Sequence, residues 1–262
     1  MKLDQLSEDY NFRFGGIGRL YGESQLSKIS ETSIMVIGLG GVGSWAAEAL
    51  VRSGFRKVIL VDFDDICMSN TNRQLHTQSS TIGKLKGEVL KERFLSISPE
   101  AQIEYIDERF SSDSIEIVFQ SKPDIVVDAI DDANLKAILI DYCRSNEIKV
   151  VVSGASGGRT NPMSLRLDDL TQTKYDPLLS RVRKLLRQKY GFPRGQKKFN
   201  VPSVYSIEDP YFPTEDGCVT QDQTSTVKGP MDCASGFGAV THLTGSIGFL
   251  LAHACIEIAK KS

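Results

Sequence analysis

No two cysteines in this chain stand in a C-x-x-C spacing. The five that are present, Cys67, Cys143, Cys218, Cys233 and Cys255, are scattered, which argues against a disulfide framework and against a thiolate zinc site. Neither sign of charge dominates: 31 Lys and Arg stand against 33 Asp and Glu, a net charge of −2. No internal repeat is visible. The N-terminal stretch lacks the basic start, apolar middle and small-residue cleavage site of a secretory signal, so the expected compartment is the cytoplasm, or an organelle if the source is a eukaryote. Long uncharged apolar runs are also scarce. The one of helix length, Ala239 to Ala259, includes Thr241, His242, Thr244, Ser246, His253 and Glu257. It reads as a core or dimer helix with two satisfied structural histidines, and no stable membrane span is expected.

What remains is enough for one substantial core. With 262 residues and 40% hydrophobic content, the expectation is a single α/β domain, with a nucleotide-binding core over residues 1–160 and a C-terminal elaboration over 161–262. The first signal is local. Ser33-Ile34-Met35-Val36-Ile37 is an apolar run of strand length, and Ser44 to Val51 reads as a helix. Between them lies Gly38-Leu39-Gly40-Gly41-Val42-Gly43. Glycines there let the backbone turn tightly and approach a phosphate, and the free amides of the helix N-terminus supply a positive dipole end. Val58 to Val61 is a second strand ending in Asp62, where a carboxylate is placed to meet a ribose hydroxyl. A nicotinamide-dependent oxidoreductase shares all of this.

The next segment separates the two. Asp62, Asp64 and Asp65 cluster at a strand's carboxyl edge, and Asn70-Thr71-Asn72-Arg73-Gln74 follows. Carboxylates beside a polyphosphate require a metal ion or cationic side chains, and Arg73, Lys84 and Lys86 are the cations available. Hydride transfer needs no such set, whereas displacement at a phosphate needs charge neutralised on the leaving group. A helix is expected from about Thr81, with Val89, Leu90 and Phe94 facing the sheet. Further strands are expected near Ile103 to Tyr105, at Ile125 to Asp128 and at Val150 to Ser153. The fourth strand leads to Asp131 and Asp132, of which Asp131 is the candidate magnesium carboxylate and either is a candidate N-cap for a helix over Ala133 to Arg144. The expected architecture is a Rossmann-like, doubly wound, mostly parallel α/β sheet.

These residues, Gly-x-Gly-Gly-x-Gly, Asp62, Asn70-x-x-Arg73-Gln74, Lys86 and Asp131, resemble the ATP-binding core of ubiquitin-activating-type enzymes, which adenylate carboxylates. The strings Arg13-Phe14-Gly15-Gly16, Asn70-Thr71-Asn72-Arg73-Gln74 and Met231-Asp232-Cys233-Ala234-Ser235-Gly236-Phe237-Gly238 are similar to those of the tRNA threonylcarbamoyladenosine dehydratase family. The resemblance implies ATP-dependent cyclisation of threonylcarbamoyladenosine at position 37 of tRNA through an adenylated carboxylate. It implies that Gly38, Gly40, Gly41 and Gly43 approach the phosphates, that Asp62 meets the ribose, and that Arg73 and Lys86 contact the phosphates. Asp64, Asn70 and Gln74 would line the same site, and Asp131 would hold magnesium. An arginine from the partner of a homodimer would join them, Arg13 or Arg19, with Arg13 preferred.

Charge is uneven along the chain. From Lys174 to Lys198 nine basic residues face Asp176 alone, a net of +8 in a chain whose total is −2. Leu178, Leu179, Val182, Leu185 and Leu186 recur at helical spacing, which leaves Arg183, Lys184 and Arg187 on outer faces. Tyr190, Phe192 and Phe199 interleave with the cations as stacking surfaces, a pattern that fits RNA. Residues 191–229 are rich in turn formers and are expected to be a long, mobile loop, with Val201 to Ser206 its one strand-like piece. Cys218 and Cys233 are the candidate acceptors if the activated carboxylate passes to a thiol, although ring closure needs none, and Cys233 reads first as a small buried residue. Activation of a ubiquitin-like or sulfur-carrier protein, with a cysteine desulfurase or sulfur acceptor as partner, is the alternative within the same superfamily.

Overall fold

Two helices precede the sheet. In the computed structural model, which describes residues 6–195, 197–222 and 237–261, Ser7 caps helix α1 (Glu8–Tyr21) by accepting from the Tyr10 amide. Glu8 and Asp9 oppose its positive end. Gly22, at φ +99°, turns the chain into α2 (Glu23–Glu31). Tyr10, Phe14 and Leu26 pack together between the two.

The central elements then alternate: β1 (Ser33–Ile37), α3 (Gly43–Arg52), β2 (Lys57–Val61), α4 (Lys86–Ile97), β3 (Gln102–Ile106), the single turn α5 (Ile115–Val118), β4 (Ile125–Asp128), α6 (Ala133–Ser145) and β5 (Lys149–Ser153). The inner strands are apolar on both faces because helices cover both. Ile34 and Val36 of β1 join Val58, Leu60 and Val127 in the core under α3 and α4. Met35 and Ile37 point the other way with Ile59, Val61 and Val126, toward α6. The chain continues through β6 (Leu165–Asp169), α7 (Pro177–Lys189), β7 (Pro202–Ser206), a hairpin of β8 (Phe212–Pro213) with β9 (Val219–Thr220), and α8 (Thr241–Ala259). Seven strands form one sheet in the order β3-β2-β1-β4-β5-β7-β6, parallel except for β6 against β7. The fold is Rossmann-like, and strand order reverses between β1 and β4.

Three features depart from the sequence expectations. Helix α4 starts at Lys86, not near Thr81, because residues 81–85 form turns with Gly83 at φ +80° and Asp65 bridges Leu85. The segment 191–229 is not simply an irregular connection: its strand-like piece is β7, an inner strand flanked by β5 and β6, and a hairpin follows. Residues 223–229 lie outside the described residues. Strand β6, whose residues alternate in exposure as an edge strand's do, has no counterpart in the expectations.

Helix α8 is long and apolar enough to cross a membrane, yet 61% of that stretch is buried inside the protein. Gly248 is why it fits: a Cβ there would stand 2.7 Å from the Ala46 amide nitrogen and 2.8 Å from the Val42 carbonyl oxygen, so α8 lies directly on the start of α3. Both histidines of α8 are exposed; His242 bonds the Thr160 carbonyl at 2.8 Å, as expected of a satisfied structural histidine.

Candidate active site at the switch point of the sheet

The glycine loop runs from β1 into α3 at the place where strand order reverses, which is where open α/β sheets hold ligands. Two of its glycines are required by space. Gly38 has φ +88°, and a Cβ on it would meet the Ala129 carbonyl at 2.9 Å; one on Gly43 would sit 1.8 Å from the Gly38 carbonyl oxygen. Gly41 lies against Arg73, with a built Cβ 3.0 Å from Arg73 Cγ, and Gly40 faces the amide nitrogen of Gln74 at 3.8 Å. Val42 at the N-cap of α3 offers no side-chain acceptor, so the helix N-terminus opens toward any anion placed there.

Asp62, at the end of β2, is nearly buried. One of its oxygens accepts from the Leu39 amide at 2.6 Å and the other from the Asp64 amide at 2.8 Å, so this carboxylate ties the glycine loop to β2. Burial pushes its carboxyl up, against the pull of Lys86 and of the two amides. A second lone pair on each oxygen remains for a hydroxyl.

Lys86 reaches the same place from the first position of α4, only 5% exposed. A short antiparallel crossing delivers it, in which the Ile66 amide bonds Lys84 and the Lys86 amide bonds Asp64. Its Nζ lies 2.6 Å from Asp64 and 3.9 Å from Asp62.

The string after β2 forms two tight turns. Asn70 is buried and spends its side-chain oxygen on the Cys67 amide at 3.1 Å, a local structural task beside any role in binding. Arg73 bonds the Ser69 carbonyl and Asn72, and among the described residues no carboxylate pairs with it. Its backbone carbonyl accepts from Trp45 Nε1 at 3.0 Å, which fixes the string against α3. Asn72 and Thr241 lock it to the N-terminus of α8. Gln74 is buried and its side-chain oxygen lies 3.0 Å from His76 Nε2.

Opposite the loop, past β4, Asp132 caps α6 by accepting from the Asn134 and Leu135 amides at 2.7 and 2.9 Å. That leaves Asp131 exposed, with no hydrogen bond or ion pair among the described residues. No group of three or more His, Cys, Asp or Glu converges among those residues to hold a metal ion.

The pair that supports this corner carries no periodicity or motif signal. Asp128 and Lys136 are fully buried and 3.0 Å apart; Asp128 also accepts from the Ile130 amide, and Lys136 and Ser153 both donate to its carbonyl. Burial drives the Asp128 carboxyl up while Lys136 opposes it. A second hidden strut is Arg159, 2% exposed, whose guanidinium donates to the carbonyls of Ala155, Tyr175 and Glu208.

Arg13 does not enter the site of its own chain. It pairs with Asp9 and bonds the Ile97 carbonyl, at the opposite end of α4 from Lys86, roughly 16 Å along a helix of that length. Arg19 is exposed on the same helix. Cys218 is exposed on the β8–β9 hairpin, and Cys233 with Met231 to Gly236 lies outside the described residues.

The basic segment is α7 and the loop after it. Leu179, Val182 and Leu186 are buried as the spacing predicts, but the stacking expectation fails. Phe192 and Phe199 are buried against each other in the core, centroids 4.9 Å apart. Arg183 also differs: half-buried, it turns back to Thr173 and Leu170. A shallow cavity of about 490 Å³ nevertheless opens between Ser180, Arg183, Lys184, Arg187 and Arg194, and no carboxylate pairs with its cations among the described residues.

Comparison with known proteins adds a consistent picture. Residues 16–260 match the ThiF family. The chain is similar to the tRNA threonylcarbamoyladenosine dehydratase of Haemophilus influenzae, 44% identical over 259 residues and 97% of both chains. It is similar also to that of Escherichia coli, 41% identical over 261 residues, 98% of this chain and 97% of the other. The crystal structure of the Escherichia coli tRNA N6-threonylcarbamoyladenosine dehydratase in complex with ATP superimposes with a TM-score of 0.84 at 36% identity, covering 97% of this chain and 96% of that one.

Proposed function

The chain belongs to the ThiF family, and from that premise we propose that it is a tRNA threonylcarbamoyladenosine dehydratase that closes the modification into a ring at the expense of ATP. One observation carries the reading: a glycine cradle, Arg73 without a carboxylate partner among the described residues and the buried Lys86 meet at one edge of the sheet, the set that departing pyrophosphate requires. The likeness to dehydratases over nearly the whole chain favours a tRNA substrate over a carrier protein.

An oxygen of the threonyl carboxylate attacks the α-phosphorus of ATP, and pyrophosphate leaves. An internal nitrogen of the same modification then attacks the acyl carbon, AMP departs with the carboxylate oxygen, and the nitrogen loses its proton. Water is formally lost, and ATP becomes AMP and pyrophosphate. Ring closure within one substituent has the high effective molarity of an intramolecular attack.

In this reading Gly38, Gly40, Gly41 and Gly43 admit the phosphates, Arg73 and Lys86 neutralise them, and Asp62 meets the ribose while holding the loop. Asp64 sets the position of Lys86, and Asn70 and Gln74 line the wall. Asp131 fits magnesium: the ion takes one or two carboxylates together with phosphate oxygens, and Asp131 is the acid left free by the capping role of Asp132. Bound there, the ion would neutralise phosphate charge. The cavity cations on α7 would track the tRNA backbone, and in a homodimer Arg13 or Arg19 would complete the partner's site. A cytoplasmic enzyme of this kind, or an organellar one in a eukaryote, is a ligase-type cyclase, and a sulfur-transfer partner would use an exposed thiol such as Cys218.

The test is AMP release from ATP with purified protein, with threonylcarbamoylated tRNA, unmodified tRNA or no RNA. AMP release and loss of one water from the modified nucleoside, both dependent on the modified tRNA, are the expected result. Equal AMP release without it, or modification unchanged in mass, would remove the reading.

A further inference from the structure

We propose that His76 is a positioning residue for this site: its Nε2–H holds the carboxamide of Gln74 with the NH2 end turned to the glycine loop, so that Gln74 donates to substrate oxygen there. The inference rests on the reading of the site as one that binds ATP phosphates.

The geometry is specific. His76 is 2% exposed and Gln74 8% exposed, and Nε2 lies 3.0 Å from the Gln74 side-chain oxygen. With that oxygen committed, the amide nitrogen is the end facing the loop, 3.8 Å from where a Cβ on Gly40 would stand. Both backbones are held independently, since the Gln74 amide bonds the Asn70 carbonyl and Thr81 Oγ1 donates to the His76 carbonyl at 2.6 Å. The end of the carboxamide that faces the loop is then set by its contact with the imidazole.

A flip matters because the two ends of a carboxamide are opposite in kind. The NH2 end stabilises phosphate or acyl oxygen, and the carbonyl end repels it. Which end faces the loop follows from the imidazole tautomer. An Nε2–H holds the Gln74 oxygen, whereas an Nε2 lone pair would draw the NH2 away and expose the oxygen to the substrate.

Two observations favour the productive tautomer. His76 Nδ1 is buried without a hydrogen-bond partner among the described residues, so a proton there would be an orphaned buried donor, rarer than an unpaired acceptor. Burial and the nearby Lys86 hold the imidazolium pKa down to about 4, so the ring is neutral at working pH and carries one proton only.

The experiment uses the whole chain with ATP and threonylcarbamoylated tRNA. His76→Leu fills the space without a donor, and His76→Gln offers an N–H at the reach of Nε2. Each is made in the natural sequence and in Gln74→Ala. Expected is a fall in kcat on the order of tenfold for His76→Leu, the scale of one misdirected buried hydrogen bond, with little change in KM for ATP. Recovery to within about threefold is expected for His76→Gln, and no further loss from His76→Leu in Gln74→Ala. Equal losses for Leu and Gln, or a full additional loss in the Gln74→Ala background, would overturn the proposal. Nitrogen-15 NMR of the imidazole in the unaltered protein decides the tautomer without any turnover. An Nδ1–H ring refutes the positioning role, whereas unaltered protein that makes no cyclic product refutes only the functional reading.

Discussion

Replacing Lys86 by Met removes one charge and keeps most of the stem, which makes it the cleanest perturbation of the proposed chemistry. A donor that stabilises charge only as pyrophosphate leaves is worth roughly 2.7 to 4 kcal/mol, a hundred- to thousand-fold in kcat. The structural cost is smaller and of a different origin. The Asp64 partner, 2.6 Å away, is about half exposed, so that pair contributes ~0 to 1 kcal/mol. Asp62, 3.9 Å away and nearly buried, loses this nearby cation but keeps the Leu39 and Asp64 amides. Its loss therefore falls below the ~3 to 5 kcal/mol of breaking a fully buried pair. A domain stable by roughly 5 to 15 kcal/mol remains folded. Single-turnover AMP formation at saturating ATP, read beside the thermal midpoint, separates the two costs. A Lys86→Met protein that cyclises within a fewfold of the natural rate would show that Lys86 serves only to neutralise Asp62 and Asp64.

Gly43→Ala should abolish ATP binding while leaving the sheet, since its Cβ would stand 1.8 Å from the Gly38 carbonyl; calorimetric titration with near-normal affinity would mean the loop is not the phosphate site. Lys184→Gln combined with Arg194→Gln should weaken tRNA binding and reduce its salt dependence by about one unit of slope per lost phosphate contact, and an unchanged slope would place the RNA elsewhere. His76, with its pKa lowered from 6.5 to about 4, is protonated more readily in the unfolded chain. Its contribution is therefore present above pH 6.5 and is lost as pH falls toward 4, by about 3 kcal/mol. The stability of the natural protein relative to His76→Gln should fall by that order across the window, and parallel pH profiles would contradict it.

The parallel half of the fold was readable because its signals are short-range. β1, β2, β4 and β5 are each built on an apolar run buried on both faces, and α3, α4 and α6 each carry an apolar stripe of their own. The other half hides its strands. β7 carries Ser203 and Ser206 fully buried among its residues, so it stood out only as a strand-like piece inside an expected loop, and β6 alternates Leu with Arg and Asp as an exposed edge does. Neither is a strand in isolation; each becomes one by pairing with the other and, for β7, with β5. The aromatic residues of the basic segment misled for a related reason. Sequence proximity to Arg187 and Arg194 resembles an RNA-stacking surface, yet Phe192 and Phe199 close the core beneath α7, with Arg144 and Arg187 lying over their rings.

At the site, residue type marked which side chains meet but not how they divide the work. Asp131 and Asp132 are equivalent as letters; only the amides of Asn134 and Leu135 decide that Asp132 is the cap, and Asp131 is left exposed without that task. Gln74 and His76 stand two apart in a string where the motif drew attention to the first alone, and the dependence of one on the other appears only when both are buried at hydrogen-bond distance. The Asp128–Lys136 pair shows the same logic at greater depth. An acid and a base are placed where burial is costly, and their hydrogen bonds converge on the backbone at Asp128 and Ile130. Gly38 packs against the Ala129 carbonyl between them, so the pair fixes the spacing between the glycine loop and Asp131. An apolar pair of equal volume would satisfy the core and leave that spacing to chance.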